Sequence, residues 1–358
     1  HRCGIRGNLL EWFKDYLSDR MQRVVINGQF SERGKIKAGV PQGSVLGPLL
    51  FLLFINDVVY VIKHCKIRLF ADDTCLLIEV DDRARAAQLI NEDLSSIASW
   101  SKEWLVSFSP AKTKAMTISN KPDPRLNPTL MLSDTPIDEV NSHKYLGVQL
   151  SADLRWKKHI DDVSIKAKKR LNLMVPLKFK LDRRSLEIMY QSFVQPIMDY
   201  ACTVWGGSPA CHTAKLEKNA HNDALRLITG ATARSSTERV LLESGHSSLA
   251  CRFDQAALTM MYKIIHGLAP TYLQDIFFEI QGIQTHTYNL RNKNDLKVPL
   301  CRLSSFQSSF LPRTLNLWNK LDHELKTSAS LYSFKTLLKK HEREPEVYFY
   351  YGERWASV

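Results

Sequence analysis

Apolar positions follow two different regimes along the chain. In the first, "NLLEWFKDYLSDR" sets Leu10, Phe13 and Leu17 at three- and four-residue spacing, which predicts an amphipathic helix ending near Arg20. "QRVVING" and "SERGKIKAGV" predict two short strands joined at Asn27-Gly28, because Asn-Gly supplies the positive backbone angles of a tight hairpin. Gly39, Gly43, Gly47 and Pro48 predict a loop, with Pro48 in the first turn of a helix running to about Ile62. "IRLFA" alternates and "TCLLIEV" is rich in strand formers, so Asp72 and Asp73 between them fall at or beside a hairpin turn. Beyond the pair, Ile90, Leu94, Ile97 and Trp104 share one face of a long helix capped by Asp81 or Asp82. Short strands are expected at 115–119, 129–132 and 144–150.

The second regime starts near Lys157, where strand signals nearly vanish and helices are expected over 159–178, 183–200, 214–229, 249–266 and 271–278. A domain boundary is therefore placed at 151–155. The tail from 281 is polar and only partly patterned, with one short helix in "SFKTLLKKH". No internal repeat or low-complexity tract is evident.

Composition narrows the function classes. A 358-residue chain with 44% hydrophobic and 24% charged residues argues against disorder. The net charge of +12 is unevenly placed: residues 1–150 carry 19 basic and 17 acidic side chains, residues 151–358 carry 30 and 20. Such clustering favours an anionic partner, nucleic acid before an acidic membrane, with a merely solvated basic surface as the alternative. The seven cysteines form no C-x-x-C pair and no zinc-spaced Cys/His cluster, so they read as free thiols in a reducing, intracellular setting, nucleus or cytoplasm. The longest apolar run, 49–55, is far short of the ~20 residues that span a bilayer, and no membrane partner is expected. The chain opens on His1 rather than Met and reads as a piece of something longer.

Adjacent unpaired carboxylates repel, and a divalent cation reverses that cost. Mg²⁺, a hard ion held by one or two carboxylates and substrate phosphates, suits Asp72 and Asp73, with Mn²⁺ an alternative. An ordinary solvated turn is the other reading of the pair. The run Lys157 to Arg184 holds ten Lys or Arg against three Asp, while Ile160, Val163, Ala167, Leu171 and Met174 recur at helical spacing. One face is expected to pack and the other to track phosphates or simply to be solvated. Trp100, Trp104, Trp205 and Trp318 are assigned to cores.

"GVPQGSVLGPLLFLLFINDV" followed by "FADDT" resembles two consecutive signature blocks of reverse transcriptases from retrotransposons lacking long terminal repeats, LINE-type and especially jockey-like. "SPAKTKAM", "HKYLGV", "PIMDYACTVWG" and "SSFLPRTLNLWNKL" resemble later segments in the same order. The resemblance implies an α+β, incomplete right-hand polymerase: partial fingers and palm with the catalytic hairpin over 1–150, a mainly helical thumb-like region over 151–280, and a C-terminal extension over 281–358. It implies RNA-templated DNA synthesis by two-metal nucleotidyl transfer, with an RNA template, a DNA primer and deoxynucleoside triphosphates as partners.

By the same resemblance Asp72 binds metal and Asp73 supports the metal site. Pro41, Gln42, Gly43 and Phe70 lie against template or nucleotide, and Lys112 meets the triphosphate or protonates pyrophosphate. Tyr145, Leu146 and Gly147 press on the primer, and Lys166, Lys168, Lys169 and Arg170 track the backbone. For Gly43 a plain turn, for Lys112 a solvated lysine and for Tyr145 a core aromatic are the alternatives. The sequence departs from the family in having Ser109 where Asn is frequent, and in lacking the first aspartate block and an endonuclease segment. It is therefore expected to be an N-terminally truncated fragment with little or no polymerisation; a non-enzymatic nucleic-acid-binding remnant or co-opted protein is the alternative, and a metal-dependent nuclease would need more clustered carboxylates.

Overall fold

The computed structural model describes residues 4–119, 128–282 and 295–341, which divide into two units, one within 1–140 and one essentially within 141–358. Parts of the expected C-terminal extension, 283–294 and 342–358, lie outside the described residues.

In the first unit, α1 (Asn8–Leu17) has an apolar face but no buried residue. A hairpin in four short pieces follows: β1 (Met21–Gln22) pairs with β4 (Gly34–Lys35), and β2 (Val25–Ile26) pairs with β3 (Gln29–Phe30), all antiparallel. Its turn is Asn27-Gly28 with φ of 50° and 80°, as the dipeptide dictates. Helix α2 (Leu46–Ile55) stops earlier than Ile62 and tightens into a 3-10 turn, Asn56–Val61, where two poor helix formers, Asn56 and Asp57, interrupt the apolar run. Strands β5 (Lys66–Phe70) and β6 (Asp73–Leu77) form a second antiparallel hairpin. The side chains of Ile67, Leu69 and Leu76 pack with Ile55, Val58, Ile97 and Trp100. Helix α3 (Arg83–Glu103) supplies the last two, and the Asp82 carboxylate caps it by accepting from the Ala84 and Arg85 amides.

The strands expected at 115–119 and 129–132 shrink to β7 (Lys114–Ala115) and β8 (Met131–Leu132). β8 turns back through β9 (Thr135–Pro136), and β10 (Asp138–Glu139) runs parallel to β7. These short pieces lean on α3, where the Asn91 side chain bonds the Met131 amide and the Thr129 carbonyl.

The second unit begins with an antiparallel hairpin, β11 (Ser142–Tyr145) and β12 (Val148–Ser151), in place of the single strand expected at 144–150. Leu146 and Gly147 form its turn with φ of 45° and 83°, the paired positive angles of a tight two-residue connection. Helix α4 (Lys157–Met174) buries Ile160, Val163, Ala167, Leu171 and Met174 as their spacing requires. The helix expected over 183–200 is instead α5 (Arg183–Met189), a π-helical turn (Tyr190–Val194) and α6 (Gln195–Asp199). Next come α7 (Cys202–Trp205) and α8 (Ala210–Leu216), then a second π-helical turn (Glu217–Asn222) leading into α9 (Asp223–Thr229).

The two π turns meet through a buried bond. Tyr190 Oη donates to His221 Nδ1 at 2.6 Å, and His221 Nε2–H donates to the Ser247 carbonyl at 3.0 Å. Burial holds the His221 imidazole neutral, with its pKa lowered to about 3.

Helix α10 (Thr237–Ser244), absent from the sequence expectation, and α11 (Leu249–Ile265) complete one core around Trp205, Tyr190 and Phe253. The far half of α11 belongs to a second core with α12 (Thr271–Gln281), α14 (Phe310–Asn319) and α16 (Leu331–His341), while α13 (Ser304–Gln307) and α15 (His323–Lys326) are single turns between them. Leu315, Trp318, Phe334 and Leu338 are buried there, so the described part of the tail is core-forming rather than a polar appendage. Among the described residues no helix is long and apolar enough to cross a membrane.

Candidate functional site

The β5–β6 hairpin carries the carboxylate pair at its turn. Phe70 and Asp73 are register partners, which leaves Ala71 and Asp72 as the two connecting residues. Ala71 sits at φ 51°, in the left-handed region that a side chain with a Cβ enters only at a cost of about 1–2 kcal/mol. Phe70, Asp72 and Asp73 are all exposed, and neither aspartate has a hydrogen-bond or ion-pair partner among the described residues. The oxygens therefore face water from a sharp, strained turn, a geometry that leaves them available to a cation. No third His, Cys, Asp or Glu joins them in a cluster among the described residues.

What fixes the base of this hairpin is Asp93, fully buried on α3. Its carboxylate accepts from the backbone amides of Lys63 at 2.9 Å, His64 at 3.1 Å and Cys65 at 2.7 Å. Burial pushes the Asp93 pKa up, but these donors outweigh it and hold the group below the usual carboxylate range. On the rim, His64 pairs with Glu92 at 2.9 Å. The entry into β5 is thus tied to the same helix that packs under the hairpin. Sequence reading passed over Asp93, although its position between Ile90 and Leu94 already put a carboxylate on the apolar face.

Pro41, Gln42 and Gly43 share one loop ahead of α2. Ser44 Oγ donates to the Pro41 carbonyl at 2.7 Å and accepts from the Gly47 amide at 3.0 Å, and the Arg20 guanidinium donates to the Gly39 carbonyl. Gly43 has φ 81°, so the turn requires a residue without a Cβ there. Gln42 is exposed beside it. Lys112 is exposed in a separate turn, where the amides of 112 and 113 donate to the Ser109 carbonyl.

In the second unit the β11–β12 turn is held from two sides. Tyr200 Oη donates to the Leu146 carbonyl at 2.7 Å, and its ring lies where a Cβ on Gly147 would come within 3.0 Å. On α4, His159 Nδ1 accepts from the Gln149 amide at 3.2 Å. Burial lowers the His159 pKa, and the accepting Nδ1 puts the proton on Nε2 of a neutral ring. Gly147, Lys144, Lys166, His159 and Tyr200 line one cavity of about 330 Å³. Gly147 and Lys166 therefore share this cavity, whereas Tyr145 and Leu146 are not among its lining residues.

Lys169 and Arg170 are exposed on α4, whereas Lys168 is diverted to Asp223 at 2.6 Å. A paired lysine offers less to a phosphate than its neighbours do. Neither His159 nor Tyr200 was singled out from the sequence; Tyr200 lay inside "PIMDYACTVWG" without a role.

Residues 1–150 match the family described as reverse transcriptase (RNA-dependent DNA polymerase). The chain is 28% identical over 224 residues to the probable RNA-directed DNA polymerase from transposon X-element of Drosophila melanogaster, covering 61% of this chain and 24% of that protein. It is 29% identical over 228 residues to the RNA-directed DNA polymerase from mobile element jockey of the same species, covering 61% and 25%. A Pol polyprotein from type-1 retrotransposable element R1 2 of Nasonia vitripennis is 26% identical over 177 residues, 47% of this chain and 43% of its own length. The chain thus spans about a quarter of the length of the first two relatives. Residues 1–150 thus match the reverse transcriptase family, and about three fifths of the chain is similar to polymerases of LINE-type transposons.

Proposed function

We propose that this chain is the part of an RNA-directed DNA polymerase that presents the Asp72–Asp73 carboxylates to a divalent ion and contributes residues that bind template and primer. The observation that carries the proposal is the pair itself: two unpartnered, exposed carboxylates on a strained turn inside the matched segment. Backbone strain kept at such a place fits a functional constraint better than a neutral loop.

The donor set suits Mg²⁺, or Mn²⁺, since carboxylates are hard oxygen donors and such ions commonly complete their shell with water and substrate phosphates. When bound, the ion would supply charge for activating the primer hydroxyl and the departing pyrophosphate. The protein's own share is positional. Asp72 and Asp73 hold the ion, and Asp93 fixes the hairpin's approach through its three amide bonds. Gln42 and Gly43 offer backbone and amide to the templating or incoming base, Phe70 borders the same turn, and Lys112 serves the triphosphate. In the second unit Tyr145, Leu146 and Gly147 bear on the primer, while Lys166, Lys169 and Arg170, with Lys168 engaged elsewhere, meet backbone phosphates.

The division of labour proposed is a partial fingers and palm over 1–150, a thumb-like helical region over 151–280 and an extension over 281–358, at work inside the cell in nucleus or cytoplasm. With two carboxylates alone gathered at the turn among the described residues, the 358 residues are proposed to bind template–primer yet extend it poorly. Primer extension on poly(rA)/oligo(dT) with Mg²⁺, alongside template–primer binding by fluorescence anisotropy, tests both parts. Salt-sensitive binding with minimal extension is expected. Robust extension overturns the second part, and absence of binding overturns the first.

A further inference from the structure

The connection between α4 and α5 presents an aromatic ring to solvent in a basic surround, and nothing assigned so far uses it. Phe179 is 91% exposed. Its backbone is not loose. Val175–Leu177 forms a 3-10 turn containing Pro176, the Lys178 amide donates to the Val175 carbonyl at 3.2 Å, and the Lys180 and Leu181 amides both donate to the Leu177 carbonyl at 2.9 and 3.0 Å. Leu177 and Met174 anchor this turn in the core, and Asp182 caps α5 by accepting from the Ser185 amide. The ring is thus held outward by an ordered turn.

Between 169 and 184 there are six basic residues, Lys169, Arg170, Lys178, Lys180, Arg183 and Arg184, against Asp182 alone, whose carboxylate is taken up by the cap. Arg183 is bound to Glu243, but Lys169, Arg170, Lys180 and Arg184 have no ion-pair partner among the described residues. The Lys178 ammonium lies 5.8 Å from the Phe179 ring centroid. A solvent-facing ring on an ordered turn, with Lys178 beside it and Lys180 and Arg184 close in the chain, matches one class of ligand above others: an unpaired nucleotide, whose base offers a face to stack on and whose phosphates need positive charge. A duplex offers the phosphates but hides its base faces.

We propose that the Val175–Asp182 turn is a docking site for single-stranded nucleic acid, with Phe179 stacking on an unpaired base and Lys178, Lys180 and Arg184 holding the flanking phosphates. The proposal rests on the nucleic-acid-binding reading above and adds to it a preference for unpaired strand at this one turn. The test is the affinity of the whole 358-residue chain for fluorescein-labelled oligo(dU) and for a hairpin duplex, over a range of salt. Phe179→Ala and Phe179→Leu are expected to weaken oligo(dU) binding about 5- to 100-fold and to leave duplex binding unchanged. Phe179→Trp should retain affinity, and Lys180→Ala should flatten the salt slope for oligo(dU) by roughly 0.7.

Full oligo(dU) affinity in Phe179→Ala overturns the proposal while leaving nucleic-acid binding intact. Equal loss for strand and duplex also overturns it, since phosphate contacts alone would then account for binding. Unimpaired affinity in Phe179→Leu overturns the stacking and points to an apolar protein contact. If the unaltered chain binds neither probe, the underlying reading fails and this proposal fails with it.

Discussion

The two units contrast in how they spend their apolar residues. Among the described residues the second gathers thirty-one buried apolar side chains into two clusters and the first only seven into two, and its α1 buries none. Leu9, Trp12, Val25, Ile26, Phe30, Leu49 and Leu52 all remain exposed in the first unit. Yet the first unit carries the Asp72–Asp73 turn and the Gln42 loop. Its distinctive anchors are polar: Asp93 under the β5 entry, Ser44 in the loop, Asn91 beside β8. The second unit is stabilised by packing and the first by a handful of specific hydrogen bonds, so equal damage should have unequal consequences in each.

The largest effect should come from the second unit's core around Trp205. Trp205→Ala removes a fully buried indole that also donates to the Tyr200 carbonyl at 2.9 Å, and is expected to cost about 3–5 kcal/mol in denaturant unfolding. The matching Trp12→Ala in α1 should cost less than about 0.5 kcal/mol, and a comparable loss there would break the contrast. Next is Asp93→Ala, which strands three amides around a buried site. It should cost about 2–4 kcal/mol and speed hydrogen exchange at 63–67 without disturbing α4.

Acid should separate the units further. His221 and His159 are buried, His246 is partly buried, and all three hold lowered pKa values, chiefly by desolvation. Their contribution is complete above an unfolded pKa of about 6.5 and is lost as pH falls toward the folded values, at about 1.4 kcal/mol per pH unit from His221 alone. Asp199 and Glu217, whose pKa values burial raises, act with the opposite sign and soften the slope. In the first unit Asp93 and Asp19 are the lowered carboxylates, so their contribution holds until pH drops below an unfolded value of about 3.9. Amide exchange followed from pH 7 to 4 should therefore show the second unit loosening first; simultaneous loosening contradicts this assignment. The smallest effect is Ala71→Gly, which relieves the positive-φ cost and should slow hydrogen exchange in the hairpin by an amount equivalent to about 1 kcal/mol.

How far the sequence revealed the molecule follows the same divide. Repetitive spacing was readable: the buried stripe of α4, the Asn27-Gly28 turn, the Asp82 cap and the position of the aspartate pair depend on nearby residues alone. The π turns were not readable, because the Tyr190 to His221 bond that joins them links helices 31 positions apart. The core around Leu315, Trp318 and Phe334 escaped for a related reason, since the partners that bury those side chains lie on α11 and α12. In the candidate site the chemically distinctive groups, Asp72, Asp73, Gln42 and Gly147, stood out by type and spacing. Their supports, Asp93, Tyr200 and His159, gain meaning only from backbone atoms that the fold brings to them.

The account turns on whether the Asp72–Asp73 turn prefers a divalent ion to water. Paramagnetic broadening of backbone amide signals by Mn²⁺, in the presence of template–primer, tests this directly, with the exposed neighbouring pair Asp81–Asp82 as an internal reference. Broadening centred on 71–73 at Mn²⁺ concentrations that leave 81–82 sharp, and its loss in Asp72→Asn/Asp73→Asn, is the predicted result. Equal broadening at both pairs, or broadening unchanged in the double variant, would contradict the claim and leave the pair an ordinary solvated turn.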